Sequence, residues 1–251
     1  PMACSGDFLV RTLRSALQPA CQLFGGTAGD GWTMEGPLVL GNGQALQDAL
    51  VLVAFNHERE IVGAVRHGWT PIETRSHVVT SATGNEVRAI DGRPAAEVYR
   101  DVLSKNGLFP EGADPIKVFA LHSLGMKSLF SSEIKVRTPM RIGEHGSIIC
   151  AGDVPEASEV YFMTGGPDAM IAAARELSTS VRALSSRARG ALVVDCAGRY
   201  LQLGDRYPEQ VAAFCGDGSV PTLGFASYGE VAKFRGQIEG FHNTSAVMAV
   251  L

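Results

Sequence analysis

Short apolar runs that end on glycine constrain this chain more than any other feature. Phe24-Gly25-Gly26, Cys196-Ala197-Gly198 and Leu223-Gly224 all follow this pattern, and 29 of 251 residues are glycine, about 12% against about 7% in ordinary proteins. Glycine is used where a backbone must turn sharply or approach another group closely. The pattern therefore predicts strands that stop abruptly, with tight loops crowded at their ends. Such loops are natural walls for a pocket, although plain turns explain the same residues.

These loops recur in order. Met2-Ala3-Cys4-Ser5-Gly6-Asp7 is similar to Val194-Asp195-Cys196-Ala197-Gly198-Arg199, and each leads into a helical stretch, at Phe8 to Leu17 and Pro208 to Phe214. A glycine loop with a terminal acid comes next, ending on Asp30 in one copy and on Glu230 in the other. Each copy closes on an apolar segment, 49–55 and 246–251. Matched landmarks in one order read as an internal duplication, with two acid-tipped loops facing each other across a cleft.

Between these landmarks the chain alternates helix and strand signals. Phe8, Leu9, Leu13, Ala16 and Leu17 share a helical face that Pro19 ends. Ala49 to Phe55 reads as a fully buried strand, Asn56 to Arg59 as a polar turn, and Ile61 to Trp69, Val78 to Thr80 and Val87 to Ile90 as further strands. Asp91 is placed to cap a helix whose buried stripe is Ala95, Val98, Tyr99, Val102 and Leu103. Residues 104–115 form a loop and Ile116 to Leu121 a strand. Glu133 to Ile142 and Ser147 to Val154 make a hairpin around Gly143-Glu144-His145-Gly146, and Glu159 to Met163 is a strand. Pro167 opens a helix with Met170, Ile171, Ala174, Leu177, Val181 and Leu184 on one face. Ala191 to Val194 and Ala246 to Leu251 are buried strands. The expected fold is mixed α/β in two pseudo-repeated halves, with α+β as the alternative. The expected division is residues 1–87 and 88–251.

Composition removes several functions. The chain is 45% hydrophobic and 19% charged with a net charge of −4, and its arginines do not cluster as a phosphate-backbone reader requires. Nucleic acid is not an expected partner. No run reaches the ~18–20 apolar residues of a membrane span, and Asp7, Arg11 and Arg14 interrupt any leader-like core, so a cytoplasmic location is expected. The five cysteines, Cys4, Cys21, Cys150, Cys196 and Cys215, lie far apart in mostly apolar surroundings and are expected to be reduced. His57, His67, His77, His122, His145 and His242 show no metal-ligand spacing, so neither a metal nor a cofactor is expected.

Gly224-Phe225-Ala226-Ser227-Tyr228-Gly229-Glu230, then His242-Asn243-Thr244-Ser245 before an apolar strand, resembles the end of the FIST C-terminal module. Val194-Asp195-Cys196-Ala197-Gly198-Arg199 and Asp91-Gly92-Arg93-Pro94-Ala95 with Val98-Tyr99 resemble earlier parts of that module. Phe24 to Asp30 is similar to the closing half of the FIST N-terminal module, with Asp30 where glutamate is common and Thr244-Ser245 in place of Gln-Thr. The resemblance implies a sensory input domain of a bacterial signalling protein. Such a domain would bind a small molecule, an amino acid being one candidate, and pass its state to a separate output protein. It is not expected to be an enzyme.

The residues support that reading chemically. Glu230 and Asp30, at the tips of glycine loops, are placed to accept an ammonium, or else to cap a turn. Arg199 offers a fork to a carboxylate, or forms a structural ion pair. Thr27, Ser227, Tyr228, His242 and Asn243 complete a candidate polar lining. Cys196 at a strand-to-helix turn has the position of a nucleophile and would need a base such as His242. A Cys196-dependent hydrolase or transferase is therefore the runner-up, and a protein-interaction scaffold the third reading.

Overall fold

The computed structural model of the chain describes residues 5–33, 35–55, 61–127, 133–184 and 188–251. The N-terminal elements are α1 (Gly6–Ala16), β1 (Leu23–Gly26), the hairpin β2 (Val39–Gly41) and β3 (Gln44–Leu46), β4 (Val62–Arg66), β5 (Thr70–Pro71), β6 (His77–Thr83), β7 (Glu86–Ile90) and β8 (Arg93–Pro94). The middle of the chain adds α2 (Ala95–Lys105), α3 (Pro115–Ala120), β9 (Leu124–Lys127), β10 (Ile134–Arg137), β11 (Pro139–Ile142), β12 (Ile148–Cys150) and β13 (Glu159–Thr164). The last third holds α4 (Pro167–Ala183), β14 (Ala191–Cys196), α5 (Ala197–Leu203), α6 (Tyr207–Cys215), β15 (Thr222–Ser227), β16 (Glu230–Lys233), β17 (Gly240–His242) and β18 (Ala246–Val250).

One half of the molecule is built on β14 and β18. Five consecutive small and apolar residues, Ala246 to Val250, are all buried in β18, as a strand covered on both faces requires. The sheet order is β15-β14-β18-β4, with β14 and β15 parallel and the other pairs antiparallel. Ala246, Met248 and Val250 face Ala174, Leu177 and Val181 of α4 and Ala213 and Phe214 of α6. Val247 and Ala249 point the other way, toward Ala232 and Phe234, where the three-stranded sheet β1-β16-β17 is stacked. Alternation continues outward: Val231 turns its back on that core and packs with Phe241 against Val10 of α1. The sheets can approach this closely because residue 63 is glycine. A Cβ there would lie 2.2 Å from the Phe234 ring.

The other half wraps α2 and α3 with the strand path β10-β9-β13-β6-β7-β12-β11. Its core centres on Tyr99, which meets Phe119 at 4.5 Å and Phe162 edge-on at 4.6 Å between ring centroids. Trp69, Val136 and Met163 pack with Met170, Ile171 and Leu203 where the halves join. A buried guanidinium adds a second tie. Arg137 is 1% exposed, donates to both carboxylate oxygens of Asp7 in α1, and also donates to the carbonyls of Asp153 and Phe241.

The mixed α/β architecture in two halves is thus present, with specific differences from the sequence reading. Residues 49–55 form no strand and are exposed throughout, Val53 at 70%. The positions beside β14 and β18 are filled by β15 and β4, and β-propensity without a ladder partner buries nothing. Residues 115–120 are helical because Asp114 caps the Ile116 N–H and Pro115 takes the first helical position; periodicity cannot separate helix from strand in so short a run. Asp91 does not cap α2, whose N-cap is Pro94. It turns the chain at φ 51° and accepts from the Val78 N–H and the His77 ring. The stretch 133–142 breaks at Thr138, since β10 pairs with β9 and β11 with β12. Leu184 lies past the end of α4 and is exposed.

The duplicated landmarks do not occupy equivalent places. Segment 246–250 is a central strand whereas 49–55 is none, and β1 runs antiparallel to β16 whereas β15 runs parallel to β14. Cys4 and the turn 56–59 lie outside the described residues. Cys21, Cys150, Cys196 and Cys215 are free thiols, Cys21 exposed.

The Asp7–Arg137 pair yields a stability prediction. Asp7→Ala leaves a buried guanidinium uncompensated and the Asp153 N–H without its acceptor, which should cost about 3–5 kcal/mol. Denaturant unfolding reads this directly; a loss under 1 kcal/mol would show that the clamp does not hold α1 to the second half.

Candidate functional site

The parallel strands β14 and β15 end side by side, at Cys196 and Ser227. Crevices at the carboxyl ends of parallel strands are where open α/β sheets place ligands. Two further segments converge there. One is the tight link Tyr228-Gly229 between β15 and β16. The other is the loop that follows β1, and the two are hydrogen-bonded together: Thr27 N–H to the Gly229 carbonyl at 2.9 Å, and Tyr228 N–H to the Thr27 carbonyl at 3.1 Å. The acid-tipped loops therefore touch rather than face each other across a gap.

Asp30 organises this contact. Its Oδ1 accepts the Tyr228 hydroxyl at 3.0 Å, and its Oδ2 accepts the Thr33 hydroxyl and the Glu35 and Gly36 N–H groups. Trp32, left-handed at φ 72°, lays its ring against Tyr228 with centroids 5.1 Å apart. Gly29 permits this approach, because a Cβ there would come within 2.9 Å of the tyrosine ring.

Trp32, Tyr228 and Ala197 border two cavities. The larger, about 620 Å³, lies along β15 under α5 and α6 and is walled by Trp32, Tyr200, Tyr207, Phe214, Phe225 and Tyr228. Among the described residues Asp195 is its one carboxyl group. The smaller, about 90 Å³, is lined by Thr27, Cys196, Gly198, Asn243 and Thr244 among others.

Of the residues expected from sequence, Thr27, Cys196, Tyr228 and Asn243 line the smaller cavity, and Tyr228 also lines the larger. Asp30 shapes the loop. Arg199, Ser227, Glu230 and His242 are buried and line neither. Arg199 donates to Gln210 Oε1 and to the carbonyls of His67 and Met170, so its fork is consumed inside the protein. Glu230 accepts the Ser227 hydroxyl at 2.8 Å and the Ser245 N–H at 3.3 Å; burial pushes its carboxyl well above the usual range. Burial, followed by the charges of Lys135 and Arg137, holds the His242 imidazole well below its usual value.

Burial and then Glu230 raise the Cys196 thiol well above its ordinary value, outweighing the Gly198 and Thr244 backbone N–H groups that lower it, whereas a nucleophile needs a thiolate. The groups acting on the His242 imidazole are Lys135, Arg137, His67 and the Ile238 backbone, not this sulfur. Sequence reasoning missed Trp32, Asp195, Tyr200, Tyr207 and Phe225 as lining. Trp32 and Asp195 adjoin recognised landmarks, but the tyrosines sit on short helices where spacing alone does not reveal the inner face.

Two family models match the chain: the FIST N domain over residues 1–93 and the FIST C domain over residues 95–233. FIST domains are described as sensory domains in signal transduction. No curated protein and no solved structure matches the chain. The two cavities lie where the matched regions meet, with Thr27 and Trp32 from one and Asp195 to Tyr228 from the other among their lining.

Glu230 offers a test by pH. A carboxyl raised in the fold keeps its proton while the unfolded chain releases one, so stability falls as pH rises above the unfolded value near 4.5. Glu230→Gln abolishes this titration and keeps the shape. Relative to wild type, the variant should gain stability from pH 5 to pH 8, by at most about 1.4 kcal/mol per pH unit, the one-proton limit. A wild-type-to-variant difference that stays flat over this range would mean the folded carboxyl ionises normally.

Proposed function

The chain belongs to the FIST family, and from that premise we propose that it senses a small ligand at the seam between its two domains. The observation that carries this reading is the Trp32–Tyr228 partition. One ring comes from each matched domain, and together they border a cavity of about 620 Å³. Small-molecule pockets are mostly apolar, span roughly 300–1,000 Å³ and favour domain interfaces. A ligand seated there touches both domains at once, which is what an input domain requires. Amino acids remain one ligand class to test, beside uncharged aromatic compounds. Catalysis by Cys196 is not favoured, since its thiol is held protonated.

A thermal-shift screen with both ligand classes tests the proposal. Ligand at 100 times its Kd adds about 2.7 kcal/mol, which raises Tm by roughly 5–10 °C in a chain of this size. Trp32 is 41% exposed and Trp69 only 3%, so binding should change tryptophan emission in wild type and not in Trp32→Phe. If no compound in a broad library moves either signal, the sensory reading fails.

A further inference from the structure

The aromatic wall of the larger cavity is held in place from behind. The Tyr207 hydroxyl donates to Asp195 Oδ2 at 3.0 Å, and the Tyr228 hydroxyl donates to Asp30 Oδ1 at 3.0 Å. Each of these rings also meets a second ring at 5.1 Å between centroids, Tyr207 edge-on with Tyr200 and Tyr228 tilted against Trp32. Phe214 and Phe225 complete the set. Rings anchored in this way lose little further freedom when a ligand arrives, and a flat aromatic body meets them by offset or edge-on contact.

The polar groups behind this wall are spent inside the protein. Asp195 Oδ2 also accepts the Gln210 amide at 2.7 Å, and its Oδ1 is buried beside the Arg199 guanidinium, 3.1 Å from Nε. The Tyr228 hydroxyl accepts the Trp32 N–H besides donating to Asp30. Thr222 donates to the Val220 carbonyl and accepts from Arg182. Among the described residues no lysine, arginine or histidine lines the cavity.

An anion seated there would lose hydration and gain no counter-charge, and an ammonium would find the one carboxylate already matched. Contact with ring faces offsets part of the second loss, but that attraction is small where a site stays open to water. A zwitterionic amino acid meets both costs. We propose that the larger cavity takes an uncharged molecule with a flat aromatic body and discriminates against free amino acids. This rests on the ligand-binding reading above and adds the ligand's chemical class.

Calorimetric titration of the full chain at neutral pH tests it with probes that share one ring system: indole-3-acetamide, indole-3-acetate, tryptamine and tryptophan. They are uncharged, anionic, cationic and zwitterionic in turn. Indole-3-acetamide should bind one to one, and each charged probe should bind at least roughly tenfold more weakly. Ala226 lies on the exposed edge strand and lines the cavity, so Ala226→Trp should fill it and abolish binding while the protein stays folded by circular dichroism. Phe225→Ala removes one half-exposed ring of the wall and serves where Ala226→Trp does not fold; it should weaken binding several-fold. The proposal is overturned if indole-3-acetamide does not bind, if any charged probe comes within roughly tenfold of it, or if the folded wall variant keeps wild-type affinity. A tighter tryptamine would mark the rings as a cage for cations, and a tighter tryptophan would return the site to amino acids. Should these probes fail while another compound from the thermal screen binds, only the ligand class falls. Should every compound fail, the sensory reading falls with it.

Discussion

The fully buried guanidinium of Arg199 is the constraint on which the site depends. Removing such a charge from water costs several kcal/mol unless its N–H groups are matched. Four structural elements supply the matches: β14 through Asp195, α6 through Gln210, α4 through the Met170 carbonyl, and the turn after β4 through the His67 carbonyl. Lysine has no planar fork to reach several acceptors in fixed directions. Because Arg199 holds Gln210, and Gln210 with Tyr207 holds Asp195, the floor of the larger cavity is set by one hydrogen-bonded network. That network explains why Arg199, read from sequence as a possible ligand fork, is spent inside the protein instead.

The strands and helices that carry the core were legible because their patterns are long or unambiguous. The stripe of α4 and the apolar run of β18 each extend far enough to fix both type and buried face, and Pro167 marked the start of the helix. Segment 49–55 has an equally apolar composition and remains exposed. The difference lies in pairing, which composition does not encode: β18 has neighbours on both edges, and residues 49–55 have none among the described residues. The candidate site is legible in part for a related reason: glycine marks where chains approach closely, and Thr27, Cys196 and Tyr228, which border the smaller cavity, lie beside Gly26, Gly198 and Gly229. The aromatic wall depends on how α5 and α6 rotate over β15, a tertiary fact with no local signature.

Asp30 and Glu230 show how similar sequence contexts diverge. Both are acids that follow a glycine, and both end loops in the same small region. Asp30 is partly exposed and gathers N–H and hydroxyl donors from its own loop and from Tyr228. Glu230 opens β16 opposite His242, fully buried, and desolvation pushes its carboxyl well above the usual range. The neighbouring basic groups obey the same rule with opposite sign. Burial lowers His67 to about 4 and Lys135 to about 8. Depth below the surface, more than residue type, decides the charge state around this seam.

The loop after β1 is the part of the seam most easily moved. Among the described residues its contacts with the rest of the protein include the hydrogen bonds of Thr27 with Gly229, of the Asp30 carboxylate with the Tyr228 hydroxyl and of the Asp30 and Trp32 N–H groups with that hydroxyl, and the half-exposed ring of Trp32. β14, in contrast, pairs along its length with β15 and β18 and is covered by the α4–α6 layer. Local opening free energies follow buried apolar contact, so the loop opens at far lower cost than the sheet. A ligand shifts such an equilibrium only by the difference in its affinity for the two arrangements. A molecule stacked on Trp32 gains contacts that exist only while the loop is closed, and that difference is available at this position. On the proposed reading, the rigid sheet supplies the fixed half of the binding site and the Trp32 loop the half whose position reports occupancy.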